Sequence, residues 1–268
     1  GEGDGDRWRN VQSVALHHNL FAGNAQRNPR VTSAGARVIN NVAYNWDGHI
    51  GSTTRGSVIE WINNYWKPGP NSKNSQFLLH ENRAGEGMPL YATPPSIYIA
   101  GNLVDRGFLD PSADNWGLYA LRFTESEPLP ASFRRGEPLP AGPIPETIQA
   151  AEEAYQSVLA DVGADQRLDC AGSWVPSRDP IDARVIAEVA ANTGARRALV
   201  HEDDVGGFPQ AEPAQPCADA DHDGMPDEWE RAHGFAPEQA AGPTEDTDGD
   251  GYTNLEEFLN GTNPRDPH

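Results

Sequence analysis

HHNLFAGNAQRNPRV, residues 17–31, is the stretch from which the first hundred residues can be ordered. Its asparagine, Asn19, recurs as Asn41, Asn64 and Asn102, in steps of 22, 23 and 38 residues. Five positions before each stand Val14, Ala36, Ile59 and Ile97. Three positions before stand Leu16, Val38, Trp61 and Ile99, and one position after come Leu20, Val42, Tyr65 and Leu103. A period near 22 with strand-like alternation is the mark of a stacked solenoid. Leucine-rich repeats share the period but want leucines at fixed spacings, which these rungs lack. An all-β parallel β-helix of about four coils over residues 1–130 fits better, with strands stacked ~4.8 Å apart. The recurring asparagine predicts a ladder of side-chain amides along the stack, against the alternative of simple turn preference. The longer last step places an extended loop at Lys67 to Thr93, rich in Gly, Pro and Asn.

The same stretch carries two arginines, Arg27 and Arg30, around Pro29. Proline disfavours helical geometry in the residue before it, so Arg27 is expected on an extended stretch or at a strand end. A permanently charged guanidinium fork suits carboxylates, which makes Arg27 the candidate catalytic residue, with a plain surface arginine as the alternative. His17 and His18, adjacent on a strand, should point to opposite faces and are assigned structural roles. Lys67, at the start of the long loop, is a candidate for binding acidic sugar or an ordinary solvated lysine.

Composition supports a loop-rich β protein: of 268 residues, 27 are glycine, 23 are proline and 37% are hydrophobic. No apolar run approaches membrane-spanning length. The net charge of −20 is uneven, because residues 201–268 hold two basic and eighteen acidic residues. The near-neutral N-terminal part leaves room for a local basic cleft. Gly1 is not a methionine and no N-terminal cap is visible, so a piece of a longer chain is expected. Cys170 and Cys217 could pair, closing a loop worth about 4 kcal/mol in the chain-entropy model, or remain two free thiols.

Residues 131–210 read as a proline-rich wrap followed by two packing helices. The first has Ile148, Ala151, Tyr155, Val158, Leu159 and Val162 at helical spacing and stops at Gly163. The second starts at Asp179-Pro180 and buries Ile181, Val185, Ile186 and Val189. Residues 211–268 contain two twelve-residue calcium loops in tandem. Asp219, Asp221, Asp223, Met225, Asp227 and Glu230 occupy ligand positions 1, 3, 5, 7, 9 and 12 of the first. Asp246, Asp248, Asp250, Tyr252, Asn254 and Glu257 occupy those of the second, with Gly224 and Gly251 at position 6. Met225 and Tyr252 would contribute backbone carbonyls. The hard oxygen set points to two structural Ca²⁺ ions and to folding coupled to metal.

On the residues VALHHNLFAGNAQRNPR, GARVINNVAYNW, WINNYWKPGP, RDPIDARVIAEV and VGGFP, the chain resembles bacterial pectate lyases of polysaccharide lyase family one, specifically their C-terminal part. DADHDGMPDEWE and DTDGDGYTNLEEF are similar to the EF-hand-like, thrombospondin type 3-like tail that secreted lyases of this kind carry. The resemblance implies a right-handed parallel β-helix, a secreted protein, β-elimination on polygalacturonate, and a catalytic Ca²⁺ that bridges substrate and enzyme carboxylates. Arg27 matches the arginine that takes the C5 proton. The second arginine of the motif is replaced by Thr32, with Arg30 as the candidate substitute for binding substrate. The ligands of the catalytic calcium lie upstream of the His-His-Asn element in that family, where Asp4 and Asp6 are too few to replace them. The expected partner is an acidic polysaccharide, with no nucleic acid and no membrane span, for a monomeric chain. The alternative from another class is a non-catalytic β-helix that binds acidic glycan, or docks on a scaffold protein through its calcium module.

Overall fold

The computed structural model describes residues 10–54, 56–72, 78–81, 94–105, 114–121, 129–140, 147–195, 201–210, 215–240 and 244–267. The chain divides into two compact units, Gly1–Val162 with Arg184–Gly207, and Gly163–Ala183 with Phe208–His268. The stretch 131–210, expected as a separate middle region, is therefore shared between them. Its first helix joins the strand unit, and 163–183 joins the acidic end.

Among the described residues, twelve short strands build the first unit: β1 (Val14–His17), β2 (Leu20–Ala22), β3 (Arg30–Val31), β4 (Ala36–Ile39), β5 (Val42–Tyr44), β6 (Gly51–Thr54), β7 (Val58–Ile62), β8 (Tyr65–Lys67), β9 (Leu78–Glu81), β10 (Ser96–Ala100), β11 (Leu103–Val104) and β12 (Tyr119–Leu121). They form three parallel sheets, ordered β1-β4-β7-β10, β2-β5-β8-β11 and β3-β6-β9-β12. Each circuit of the chain thus gives one strand to each sheet, an arrangement compatible with a β-helix. The pairing is in the register of the sequence repeat, with Val14 beside Ala36, Ala36 beside Ile59, and Ile59 beside Ile97. One strand lies where a loop was expected: β9 falls within Lys67 to Thr93 and pairs with β6 and β12. Residues 73–77 and 82–93 of that stretch are outside the described residues, as are Asp4 and Asp6.

Alternation sends every second side chain inward. Ala36, Val38, Ile59, Trp61, Ile97 and Ile99 from the first sheet meet Ala43, Trp66 and Val104 from the second and Val31, Leu78 and Tyr119 from the third. Size is matched across the stack. A Cβ on Gly51 would lie 2.6 Å from Trp61 Cη2 and 2.9 Å from Leu78 Cδ2, so a glycine there makes room for the indole. The polar tips of the buried Trp61 and Tyr119 are paired. Trp61 Nε1 donates to Tyr119 Oη at 2.7 Å, and Tyr119 Oη donates to Thr53 Oγ1 at 3.4 Å. Burial pushes the Tyr119 hydroxyl pKa well above its usual value.

The asparagine ladder forms, and it has one more rung than the sequence repeat shows. Asn19, Asn41, Asn64 and Asn102 each donate Nδ2 to the Oδ1 of the next rung, at 2.9, 3.0, 2.7 and 3.0 Å, the last acceptor being Asn115. The same Oδ1 atoms also accept the backbone N–H of the rung below, at 2.7–3.1 Å. Asn115 escaped notice because it arrives thirteen residues after Asn102, inside a 3-10 turn rather than after a strand. Before each of the first four rungs the chain turns through a left-handed residue: His18 (φ 53°), Asn40 (53°), Asn63 (49°) and Gly101 (66°). Asparagine and histidine are among the side chains that tolerate this region. At Gly101 the need is also steric, since a Cβ would lie 1.8 Å from Asn63 Oδ1.

Gln149 fastens the turn column from outside. Its carbonyl accepts from Asn40 Nδ2 and Asn63 Nδ2 at 2.8 and 2.7 Å, and its N–H donates to Asn40 Oδ1 at 2.9 Å. Helix α1 (Ala151–Asp161) follows, burying Ala151, Ala154 and Val158. Its Tyr155 ring lies on Tyr65 of β8, with centroids 4.4 Å apart. Ile148 precedes the helix and is exposed. Helix α2 (Pro180–Ala191) begins as the sequence indicated, with Asp179 Oδ1 accepting from the N–H of Ile181 and Asp182 at 2.7 and 2.9 Å. Over the first sheet, Leu139 N–H donates to Glu60 Oε2 at 2.7 Å, and the fully buried Glu60 carboxylate also pairs with Arg37.

In the second unit, a hairpin of β13 (Gln166–Leu168) and β14 (Trp174–Pro176) accompanies α3 (Asp227–His233) and α4 (Asn254–Asn260). Trp229 is its core, flanked by His233, Phe235 and Phe258 at ring distances of 4.5, 5.8 and 5.5 Å. Cys170 and Cys217 are disulfide-bonded, which resolves the alternative left by the sequence and ties the hairpin to the acidic segment.

Replacing the central rung, Asn64→Ala, strands donors and acceptors on both neighbouring circuits and should cost about 2–3 kcal/mol in urea unfolding. Asn19→Ala, at a half-buried rung, should cost less, and equal losses would contradict a cooperative ladder. Cys170→Ser with Cys217→Ser should destabilise the second unit by up to about 4 kcal/mol in calcium-saturated denaturation.

Candidate functional site

Arg27 lies in the loop between β2 and β3, and that loop is laid on the corresponding loop of the next circuit. Asp47 and Gly48 donate their N–H groups to Ala25 O at 2.9 and 2.7 Å, Arg27 N–H donates to His49 O at 3.3 Å, Asn28 N–H donates to Ile50 O, and Ser52 N–H donates to Pro29 O at 3.1 Å. The backbone around Arg27 is therefore fixed rung by rung. Arg27 is not extended, as the sequence led us to expect, but left-handed, with φ 67°. The proline constrains only its immediate neighbour, Asn28, so it leaves Arg27 undetermined. A long side chain held in that sparsely used region is the kind of local strain that gathers at functional sites. Arg27 is half-buried and Asn28 buried.

Arg30 opens β3 and faces solvent, while the next residue, Val31, points into the stack. Across the register, Arg30 pairs with Ser52, whose Oγ is buried without a hydrogen-bond partner. Thr32, at the place of the missing second arginine, shares a hydroxyl hydrogen bond with Thr54 on β6. Arg27 and Arg30 thus stand at the same end of the third sheet. Lys67 does not join them. It ends β8 of the second sheet, where Nζ donates to Tyr155 Oη at 2.9 Å and to Ala190 O at 3.4 Å. Its ammonium holds both helices to the sheet. His49, buried beside Arg27, was not singled out by the sequence, since it carries no motif and its place depends on the stacking of two loops.

The acidic residues converge as their spacing indicates. Carboxylate oxygens of Asp219, Asp221 and Asp223 lie within 4.8 Å of one another, and so do those of Asp246, Asp248 and Asp250. Asp219 accepts N–H groups of Asp223 and Gly224, each at 3.2 Å. Asp246 accepts those of Gly249 and Gly251 at 2.7 and 2.9 Å. Gly224 and Gly251 take φ of 94° and 104°, as the sharp turn at position 6 requires. Helices α3 and α4 then start at position 9 and carry position 12 inward on their first turn: Glu230 and Glu257 are both buried. Position 9 braces each loop. Asp227 Oδ1 accepts from Ala220 N–H at 2.8 Å, and Asn254 Oδ1 accepts from Thr247 Oγ1 at 2.7 Å.

Glu230 decides whether these residues fit calcium. Both of its oxygens are buried and neither has a hydrogen-bond donor. Burial and then the charges of Asp221, Asp223, Asp227 and Asp219 raise its pKa to about 7. Burial and Asp223 also raise that of Asp221. A buried carboxylate among four others, with no donor, is costly. A hard cation drawn by all of them removes that cost, and the oxygen-only donor set selects calcium.

A family model described as "Bacterial TSP3 repeat" matches residues 246–267, the second loop and α4. Proteins named "Probable pectate lyase C" are similar over nearly the whole chain. That of Emericella nidulans is 28% identical over 253 residues, covering 94% of this chain and 53% of its own length. That of Aspergillus terreus is 28% identical over 261 residues, covering 95% and 55%. That of Neosartorya fischeri is 29% identical over 261 residues, covering 95% and 54%. The chain spans about half the length of the curated relatives it matches.

The raised Glu230 pKa sets a sign for metal binding. Below about pH 7 the folded, metal-free loop holds a proton on Glu230, which calcium must displace. The first loop's calcium affinity should therefore rise as pH goes from 6 to 8, with proton release, while Glu230→Gln should weaken binding at least tenfold and flatten that dependence. Calorimetry in buffers of different ionisation heat measures both effects, and a flat profile in the unmodified chain would refute the assignment.

Proposed function

We propose that this chain belongs to a secreted, calcium-dependent pectate lyase that cleaves polygalacturonate by β-elimination, on a right-handed parallel β-helix of the polysaccharide lyase family one type found in bacteria. The observation that carries the proposal is the similarity, over 94–95% of the chain, to proteins named probable pectate lyase C. The placement of Arg27 on a loop hydrogen-bonded to the next circuit at Ala25, Arg27, Asn28 and Pro29 supports it. The disulfide, which needs an oxidising compartment, supports secretion.

In β-elimination a proton leaves C5 of a uronate, charge builds on the adjacent carboxylate as an enolate, and the bond from C4 to the glycosidic oxygen breaks. Arg27 meets the first two needs. Its guanidinium stabilises the developing enolate electrostatically, and it is the group assigned to take the C5 proton. A protonated guanidinium has no lone pair, so Arg27 takes the C5 proton only as the neutral guanidine; the C5–H electrons then form the C4=C5 double bond as the glycosidic oxygen leaves with the C4–O pair and takes up a proton. Arg30, exposed on β3, binds a neighbouring uronate carboxylate. Lys67, bonded to Tyr155 and Ala190, supports the helices and reaches substrate only if those bonds open. A calcium ion at the reacting carboxylate would withdraw charge from it. Among the described residues both three-carboxylate clusters lie in the C-terminal loops, and the two calcium ions assigned there would be structural.

The test is the ultraviolet absorbance of unsaturated product from polygalacturonate, with calcium and with chelator. Arg27→Ala should lower kcat by at least a thousandfold, and Arg27→Lys nearly as much, because an ammonium lacks the planar fork. Arg30→Ala should raise KM more than it lowers kcat. A flat trace from the unmodified chain, with saturable polygalacturonate binding retained, would favour a glycan-binding role instead.

A further inference from the structure

His17 and His18, expected on opposite strand faces, meet. Strand β1 ends at His17, and His18 turns left-handed at φ 53°. The bend swings two consecutive imidazoles together, with ring centroids 5.3 Å apart, planes at 84° and the two Nδ1 atoms 3.1 Å apart. The equivalent turn residues of the next circuits are Asn40, Asn63 and Gly101, so the turn itself does not require a histidine. Gln149 orients the ring. Its Oε1 accepts from Ser157 Oγ at 2.8 Å and lies 3.0 Å from His18 Nε2. A carbonyl oxygen only accepts, so Nε2 of His18 carries the proton and the lone pair of the neutral ring is on Nδ1. His17 is exposed.

We propose that His17 and His18 chelate a divalent transition cation of the zinc, copper or nickel class through their two Nδ1 atoms, with Gln149 holding His18 in the ligating tautomer. The contact is nearly head-on, so on binding the exposed His17 turns its ring until both Nδ1 lone pairs face one point; at metal–nitrogen distances of about 2.05 Å the 3.1 Å separation then subtends ~98° at the metal. That lies between the square-planar and tetrahedral values these ions adopt. Metal-ligating histidines characteristically donate their other N–H to an oxygen, which fixes ring orientation and raises basicity, and the Gln149 contact is of that kind. In the metal-free protein one Nδ1–H spans the contact. On binding, His17 carries its proton on Nε2 instead, so a neutral pair takes up the metal without net proton loss. Water fills the remaining positions on the exposed side. Imidazole nitrogen does not favour calcium, so this site and the carboxylate loops take different ions.

The experiment is a Cu²⁺ titration of the full chain in excess calcium, which fills the carboxylate loops, followed by electron paramagnetic resonance. His18→Asn keeps a side chain already used at the same turn in two circuits, and His17→Gln changes an exposed position, so both should keep the wild-type circular dichroism. The wild type should bind one more equivalent than either variant, with nitrogen hyperfine structure from two imidazoles and an affinity at least tenfold above the variants' residual binding. Retention of that equivalent by folded His18→Asn, or a signal from a single imidazole, would overturn the chelate.

Discussion

The first unit depends on one repeated interaction, an asparagine amide that satisfies the circuit above it and the circuit below it at once. The Oδ1 atoms of Asn41, Asn64, Asn102 and Asn115 each accept two hydrogens, and the Nδ2 groups of Asn19, Asn41, Asn64 and Asn102 each donate to a side-chain oxygen, while some Nδ2 groups also reach backbone carbonyls such as Leu16 O and Val38 O. A parallel stack turns its backbone at the same place on every circuit, and peptide groups at a turn lose their sheet partners. Buried groups without partners are expensive. The amide column supplies those partners, which is why the rungs sit deep in the fold rather than at the surface.

The left-handed residues follow from the same constraint. A chain that leaves one sheet and enters the next within three residues needs a positive φ between them, and asparagine, histidine or glycine occupies each such place. Those side chains then offer a second polar column outside the ladder. Gln149 reads it with its backbone, and α1 is docked as a result. His18 belongs to this column, and its ring position is a by-product of turn geometry that places it against His17.

The second unit solves a different problem, how to fold a strongly acidic segment. The loops put carboxylates within reach of one another and set Glu230 and Glu257 inside; Thr262 donates to Glu257, whereas both Glu230 oxygens lack a hydrogen-bond donor and call for a cation. Trp229 gives that segment a small aromatic core, and the disulfide to Cys170 crosslinks it to the hairpin. Glycine at position 6 is the residue on which each loop turns, and the helix that follows aims position 12 inward.

Features fixed by local chemistry were legible in the sequence. The asparagine period, the inward-facing residues of each rung, the Asp179-Pro180 helix start and the convergence of three aspartates in each acidic loop depend on spacing and on what a backbone can do over a few residues, so the sequence alone determined them. Other features needed the chain to meet itself. Proline restricts Asn28 but says nothing of Arg27, whose left-handed conformation is set by loop-on-loop stacking against His49 and Ile50. Lys67 looked available because Tyr155 and Ala190 are distant in sequence. Strand β9 was hidden in a polar stretch because its partners, β6 and β12, come from other circuits. The pairing of Cys170 with Cys217 and the meeting of His17 with His18 were likewise decided only in three dimensions, because contacts between remote segments, or across a turn of unknown hand, leave no periodic trace in the residues that make them.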